Sequence, residues 1–137
     1  MKFLLDTNVL SNFARGEQAV TALLRREALL QLAVSVITEM EVEYGLVRNP
    51  GPAPRVREAM RTLLNTITVL PLEREDARVA AQLRASLNGQ GTPIGAYDLL
   101  IAACALRRGL RIVTHNAREF VRVGGLGLED WRAPVEI

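Results

Sequence analysis

Leu4-Leu5-Asp6-Thr7-Asn8 is the stretch whose reading decides the fold. The apolar run Phe3-Leu4-Leu5 begins almost at the first residue and stops abruptly in three polar side chains. A strand covered on both faces of a parallel sheet has this unbroken apolar character, and its last residues arrive at the rim. Residues 9–15 then read as the opening of a helix, with Thr7 or Asn8 placed to cap it. In open α/β sheets the reactive crevice lies outside the carboxyl ends of the strands. Asp6 therefore stands where chemistry is expected, and the question becomes what else arrives there.

Outward from this stretch, strands and helices alternate. Residues 17–31 read as a second helix, with Val20, Leu23, Leu24 and Ala28 at helical spacing. The β-branched run over 32–37 reads as a second strand. Thr38-Glu39-Met40-Glu41 has the form of a capping box opening a helix that runs to about Leu46. The Pro and Gly residues at 50–54 break that helix, and 55–64 resumes it, giving a helical hairpin over 38–64. A third strand over 66–70 is closed by Pro71. A long helix over 73–87 turns Ala77, Ala80, Ala81 and Leu83 inward. After the Gly-rich loop 88–95, residues 96–108 are apolar nearly all round, which marks a central buried helix stopped by Gly109. Residues 110–114 form a fourth strand, and 127–131 an edge strand or a docked tail. This alternation predicts a three-layer α/β/α sandwich with a mostly parallel central sheet, in a single domain over residues 1–137.

Composition narrows the class. Apolar residues make up 49% and charged residues 23%, as in ordinary globular proteins. The longest apolar run, 99–106, is too short to span a membrane. One cysteine, Cys104, excludes an internal disulfide. With no basic-then-apolar leader before the first strand, the expected compartment is the cytoplasm. Net charge is only +2, although sixteen of the 17 basic residues are arginine, whose forks suit phosphate. Arginines such as Arg107, Arg108, Arg111, Arg118 and Arg122 are candidates for such phosphate contacts, and the alternative for each is a solvated surface charge.

Three carboxylates stand out by position: Asp6 after strand one, Glu41 in the helix after strand two, and Asp98 in the first turn of the central helix. Asn116 and Glu119 lie just beyond strand four. Each has an ordinary structural explanation. Asp6 can cap a helix, Glu41 can serve the capping box, Asp98 is favoured by the helix dipole, Asn116 suits a turn, and Glu119 can be solvated. Together they read differently, because all five are carried to the same edge of the sheet. Clustered carboxylates repel and are costly to desolvate, so a hard divalent cation is their natural partner. All-oxygen ligation suits Mg2+ or Mn2+, whereas zinc would have only His115 and Cys104.

Leu4-Leu5-Asp6-Thr7-Asn8-Val9-Leu10, Ser35-Val36-Ile37-Thr38-Glu39-Met40-Glu41 with Tyr44-Gly45, Gly95-Ala96-Tyr97-Asp98-Leu99-Leu100-Ile101-Ala102-Ala103, and Val113-Thr114-His115-Asn116 with Glu119-Phe120 resemble the motifs of PIN domains. More closely they resemble the VapC toxins of bacterial toxin–antitoxin pairs. The resemblance covers nearly the whole chain, including the closing Gly-Leu-Gly-Leu-Glu-Asp-Trp. It implies a Mg2+-dependent endoribonuclease in which Asp6, Glu41 and Asp98 hold the metal. Many PIN domains carry Asp where this chain has Asn116, so either Asn116 or Glu119 completes the set. Thr7, Asn8, Thr38 and Thr114 are candidates to orient carboxylates or waters. The resemblance also implies an RNA substrate (tRNA or rRNA), a VapB-type antitoxin and a homodimer, with residues 17–64 as the surface for both protein contacts. The alternative from another class is a PIN-like domain that binds RNA or a partner without cutting, for which Asn116 is the supporting feature. Receiver-like and phosphatase-like domains also gather carboxylates around Mg2+. Lys2 is misplaced for the first, and Asn8 stands where the second needs an Asp.

Overall fold

The computed structural model describes residues 1–16, 21–22, 25–49, 51 and 53–131. Of the expected helix over 17–31, residues 17–20 and 23–24 lie outside them, as do Pro50 and Pro52 of the expected helix break. The helix does not run on to Gln31, because Ala28 is extended and Leu29–Gln31 forms a separate 3-10 turn that leads into the second strand. Five strands form one sheet: β1 (Phe3–Leu5), β2 (Leu32–Ser35), β3 (Thr68–Leu70), β4 (Arg111–Val113) and β5 (Leu128–Glu129). Their order is β3-β2-β1-β4-β5, and every pairing is parallel. The first strand in sequence is thus the middle of the sheet. Leu4 aligns with Ala33 on one side and Ile112 on the other.

Side chains alternate across β1 as a strand requires. Phe3 and Leu5 face a layer made by α1 (Thr7–Ala14), α2 (Val36–Arg48) and α3 (Pro54–Thr66), where Val9, Leu10, Val42, Leu46, Met60 and Leu63 are buried. Leu4, Ala33 and Ile112 face the opposite layer, made by α4 (Arg74–Gly89) and α5 (Ala96–Arg108). In α5 five consecutive residues, Ile101 to Ala105, are buried, as the all-round apolar sequence predicts. Gly109 closes the helix with φ +67°, a left-handed turn that glycine adopts without steric cost. The three-layer sandwich is therefore observed, with a sheet that is wholly parallel.

Three local expectations are corrected. Asp6, not Thr7 or Asn8, caps α1, and both of those residues lie inside the helix. The second strand stops at Ser35, whose Oγ accepts the Ile37 N–H at 3.0 Å and starts α2 two residues before the expected end of the strand. Glu41 is thereby moved to the second turn of α2, where it cannot complete a capping box around Thr38. In α4, Ala77 and Ala81 are exposed, and the inner face is Asp76, Ala80 and Leu87, with Val79 and Leu83 half-buried. The closing tail is both of the things expected of it. β5 pairs with β4, and Trp131, 5% exposed, sets its ring edge-on to Phe3 at 5.4 Å.

Asp76 explains why α4 inverts that expectation. Its side chain is fully buried and is clasped by Arg107 Nε and Arg108 Nη1, each at 2.7 Å. It also accepts the Glu73 N–H at 2.8 Å, which caps the helix. Burial alone would raise its pKa, but the hydrogen bonds from Arg108 and Arg107 outweigh this and hold the carboxyl below the usual aspartate range. A depressed folded-state pKa gives stability that is present above the unfolded value of about 3.9 and lost as pH falls through the folded value. Asp76→Asn should therefore cost about 3 kcal/mol at pH 7, because it removes the buried charge from two arginines and leaves them the half-exposed Glu73. That deficit should narrow at pH 3. Chemical denaturation of both proteins at the two pH values measures it, and a deficit that is independent of pH would refute the ion-pair account.

Candidate active site

Parallel pairing fixes the site's location. The loops after β1, β2 and β4 all leave the carboxyl edge, and α5, which leads into β4, starts there. Asp6 is tied to the neighbouring strand by its own N–H, which bonds Val113 O at 2.9 Å. Its Oδ1 accepts the Thr7 N–H at 2.8 Å, and its Oδ2 accepts the Thr114 hydroxyl at 2.9 Å. Thr114, itself fully buried, is oriented by the Asn116 N–H, which donates to its Oγ at 3.0 Å. Asn8 Oδ1 accepts the His115 N–H at 3.1 Å and laces the same two loops together. His115 also stands against Asn12, with its Nδ1 2.6 Å from the amide nitrogen.

The other carboxylates reveal their neighbours electrostatically. Glu41 is half-buried, and its pKa is raised by burial and then by the charge of Asp6. Asp98 is raised further, to about 7, by burial, a hydrogen bond with Glu119, and the charges of Asp6, Glu119 and Glu41. Glu119 moves the other way. Its hydrogen bond from Asp98 lowers it against a burial cost, helped by the Gly95 N–H at 3.4 Å and the charge of Arg122. Asp98 and Glu119 are thus linked by a hydrogen bond, with Asp98 shifted up and Glu119 shifted down. Asp6, Glu41, Asp98 and Glu119 form one interacting acidic group. Asn116 is exposed and joins it through its backbone N–H.

The donor set decides which ion fits. Among the described residues no three His, Cys, Asp or Glu side chains stand close enough to enclose a metal ion as they are. A Mg2+ ion would take one or two of these carboxylates directly and keep several waters. Buried hydroxyls able to bond such waters are at hand, because Thr7 Oγ and Thr38 Oγ are buried without a hydrogen-bond partner. Cys104 is buried in α5 beside Arg108 Nη1, away from this edge.

The arginines singled out from sequence are largely committed elsewhere. Arg107 and Arg108 hold Asp76 and Glu73, Arg111 holds Glu129 at 2.7 Å, and Arg122 donates to Pro93 O. Sequence reading also missed the Gly95–Glu119 bond that docks the start of α5 onto the loop after β4. Its partners are 24 residues apart, and no local periodicity marks them. Trp131 is buried, so it offers no stacking surface.

With this geometry established, comparison with known proteins identifies the chain. A PIN-domain family model matches residues 3–126. The tRNA(fMet)-specific endonuclease VapC of Shigella flexneri is 39% identical over 133 residues, covering 96% of this chain and 98% of the relative. A solved structure of DNA-bound VapBC from Salmonella typhimurium superposes with a TM-score of 0.86 at 34% identity, covering 96% of this chain and 98% of the other. VapBC2 of Rickettsia felis, bound to a promoter DNA fragment, superposes with a TM-score of 0.84 at 26% identity, covering 96% and 99%. A sheet centred on Leu4-Leu5-Asp6 and full-length similarity to such relatives lead to one assignment: the chain belongs to the PIN-domain family, among the VapC ribonucleases.

Proposed function

We propose that this protein is the toxin of a VapBC-type pair and cleaves RNA, with tRNA as the target class, by Mg2+-dependent hydrolysis of a phosphodiester. The observation that carries the metal reading is the electrostatics of Asp98. Every group that shifts it raises its pKa, and none is a cation. Acidic groups that converge with little countercharge are a poor structural device and a good seat for a divalent ion. Asp6 and Asp98 would hold Mg2+, for which Mn2+ can substitute, and Glu41 would hold it directly or through water. When bound, the ion supplies a Lewis acid that lowers the pKa of water and offsets charge on the scissile phosphate.

The chain's own residues do the rest. Thr114 and the Thr7 N–H fix both oxygens of Asp6, so its carboxyl cannot rotate out of the site. Glu119 holds Asp98 by their hydrogen bond and is itself held by the Gly95 N–H. This favours Glu119 over Asn116 as the group that completes the acidic set. Thr38, one turn before Glu41 on α2, offers its buried hydroxyl to water at the site.

Partners follow from the relatives. The solved VapBC structures are complexes, which supports a VapB-type antitoxin for this chain. A homodimer is supported by exposed apolar residues on α2, where Met40, Tyr44 and Val47 are 39%, 53% and 80% exposed. Among the described residues no helix is long and apolar enough to cross a membrane. An RNA substrate places the activity in the cytoplasm. Incubating the protein with total cellular RNA, in Mg2+ or in EDTA, and mapping new 5′ ends tests the proposal. New ends in tRNA that require Mg2+ are expected, and an RNA pool left intact in both conditions would refute it.

Asp98→Asn gives the sharper prediction, because it separates charge from shape. The amide can still donate to Glu119, so the fold should persist while cleavage falls at least a hundredfold, on the order of the loss of a metal ligand or its support. In EDTA at pH 8 the wild type carries the full repulsion, so the variant should melt a few degrees higher if the relief is about 1 kcal/mol. Millimolar Mg2+ should then stabilise the wild type and leave the variant unmoved. A variant that cuts normally, or melts lower in EDTA with no Mg2+ response in either protein, removes Asp98 from the site.

A second prediction concerns inhibition. An acidic pocket without its metal attracts a cationic fork, and arginine pairs best with carboxylates. A structure of the toxin with its antitoxin should show an arginine against Asp6, Glu41 or Asp98. Absence of any basic side chain there would count against this mode.

A further inference from the structure

We infer that Arg15 and Arg48 are substrate-positioning residues that hold RNA phosphates flanking the scissile bond, in a groove running from the acidic site between α1 and α2. The inference rests on the ribonuclease reading and extends it to how a polyanion is held beside four carboxyl groups. The groove encloses about 580 Å3. Thr7 and Glu41 stand at one end and Arg15 and Arg48 at the other, with Met60 buried beneath. Thr7, Ser11 and Arg15 recur at four-residue spacing, so they form one stripe along α1. Arg15 lies roughly 12 Å along the helix from Thr7, and Arg48 roughly 10 Å from Glu41.

The charges at the far end are available. Among the described residues neither arginine has a carboxylate within ion-pair distance, unlike Arg107, Arg108 and Arg111. Arg15 Nη1 donates to Ser11 Oγ at 2.6 Å, which steadies it on the groove wall and leaves further donors for a ligand. Arg48 rests over the Tyr44 ring at 6.0 Å, the outer limit of a cation–π contact. Two arginine forks with no carboxylate partner among the described residues, beyond an acidic pocket, would repel a basic peptide there and attract a phosphodiester strand.

Gly45 is the independent observation. It sits inside α2, where glycine is less favourable than alanine by about 1 kcal/mol in helix propensity. No packing constraint explains it, because a Cβ built there meets nothing within 4 Å. It does line the groove between Glu41 and Arg48. The missing side chain keeps the passage open along the stretch of α2 between the two ends.

Binding of a bulk tRNA pool by the full chain, made cleavage-dead with Asp98→Asn and titrated with salt, tests this. Adding Arg15→Gln with Arg48→Gln should weaken binding at least tenfold and flatten the log–log salt dependence by about 1.5, the release expected from two phosphate contacts. Arg74→Gln with Arg84→Gln, on α4 across the sheet, should change neither. Gly45→Leu should block binding while melting no lower than its parent. Unchanged affinity and salt slope in the Arg15/Arg48 variant overturn the inference, as does unimpaired binding by Gly45→Leu. If these variants bind tRNA normally but lose a VapB-type antitoxin, the groove is a peptide site and the inference fails. A parent that neither binds the pool nor, with Asp98 restored, cuts it refutes the ribonuclease reading as well. A parent that binds while the variants match it refutes the inference alone.

Discussion

Asp6 is held in place by neutral donors, and the acidic edge of the sheet depends on that. Its two oxygens are engaged by a backbone N–H and a threonine hydroxyl, neither of which carries a formal charge. Contrast Asp76, whose burial is compensated by two guanidinium groups. Both are buried aspartates capping or opening a helix, yet one is neutralised within the protein and the other is not. Hydrogen bonds orient Asp6 and satisfy its lone pairs while leaving its negative charge to act on Glu41 and Asp98. A structural aspartate and the aspartate proposed to hold a metal differ here in what satisfies them, not in burial.

That contrast also shows how the protein tolerates an acidic cluster. The unneutralised charge is confined to one edge, and the strongest ion pairs are kept on the opposite face, where they join α4 to α5. Repulsion at the edge is opposed by a continuous apolar sheet beneath it, with Leu4, Leu5, Ala33, Val34, Ile112 and Val113 fully buried. Burial of this kind stabilises by about 25 cal/mol per Å2 of apolar surface, with no directional demand on the carboxylates above.

Much of this was legible in the sequence, for physical reasons that can be named. The central strand showed itself because a strand covered on both faces has no polar positions until it ends. Asp6, Glu41 and Asp98 were legible because each follows a strand or opens a helix, and parallel topology sends such positions to one edge. The end of β2 was misread because Val36 and Ile37 are β-branched, and Ser35 could end a strand through its side chain without leaving a local pattern. The inner face of α4 was misread for a different reason. Alanine spacing suggested burial, but the buried residue is a charged one whose partners lie 31 and 32 residues away. The arginines near the site were likewise not legible, since whether an arginine is paired depends on distant carboxylates. Nothing in the local sequence sets Arg15 and Arg48 apart from the other arginines.

The bond between Thr114 and Asp6 joins residues 108 positions apart. β1 lies between two strands, and one of them, β4, is among the last elements of the chain. Closing so long a loop is entropically costly, and parallel pairing over such distances is slow. The bond that fixes Asp6 therefore cannot form until a separation of 108 residues has been closed. A nascent chain carries Asp6, Glu41 and Asp98 well before it carries the threonine that fixes the first of them. Loosening β4 in the finished molecule undoes the same bond. The carboxylates are encoded early, but the arrangement that makes them a site exists only while the two ends of the chain are joined.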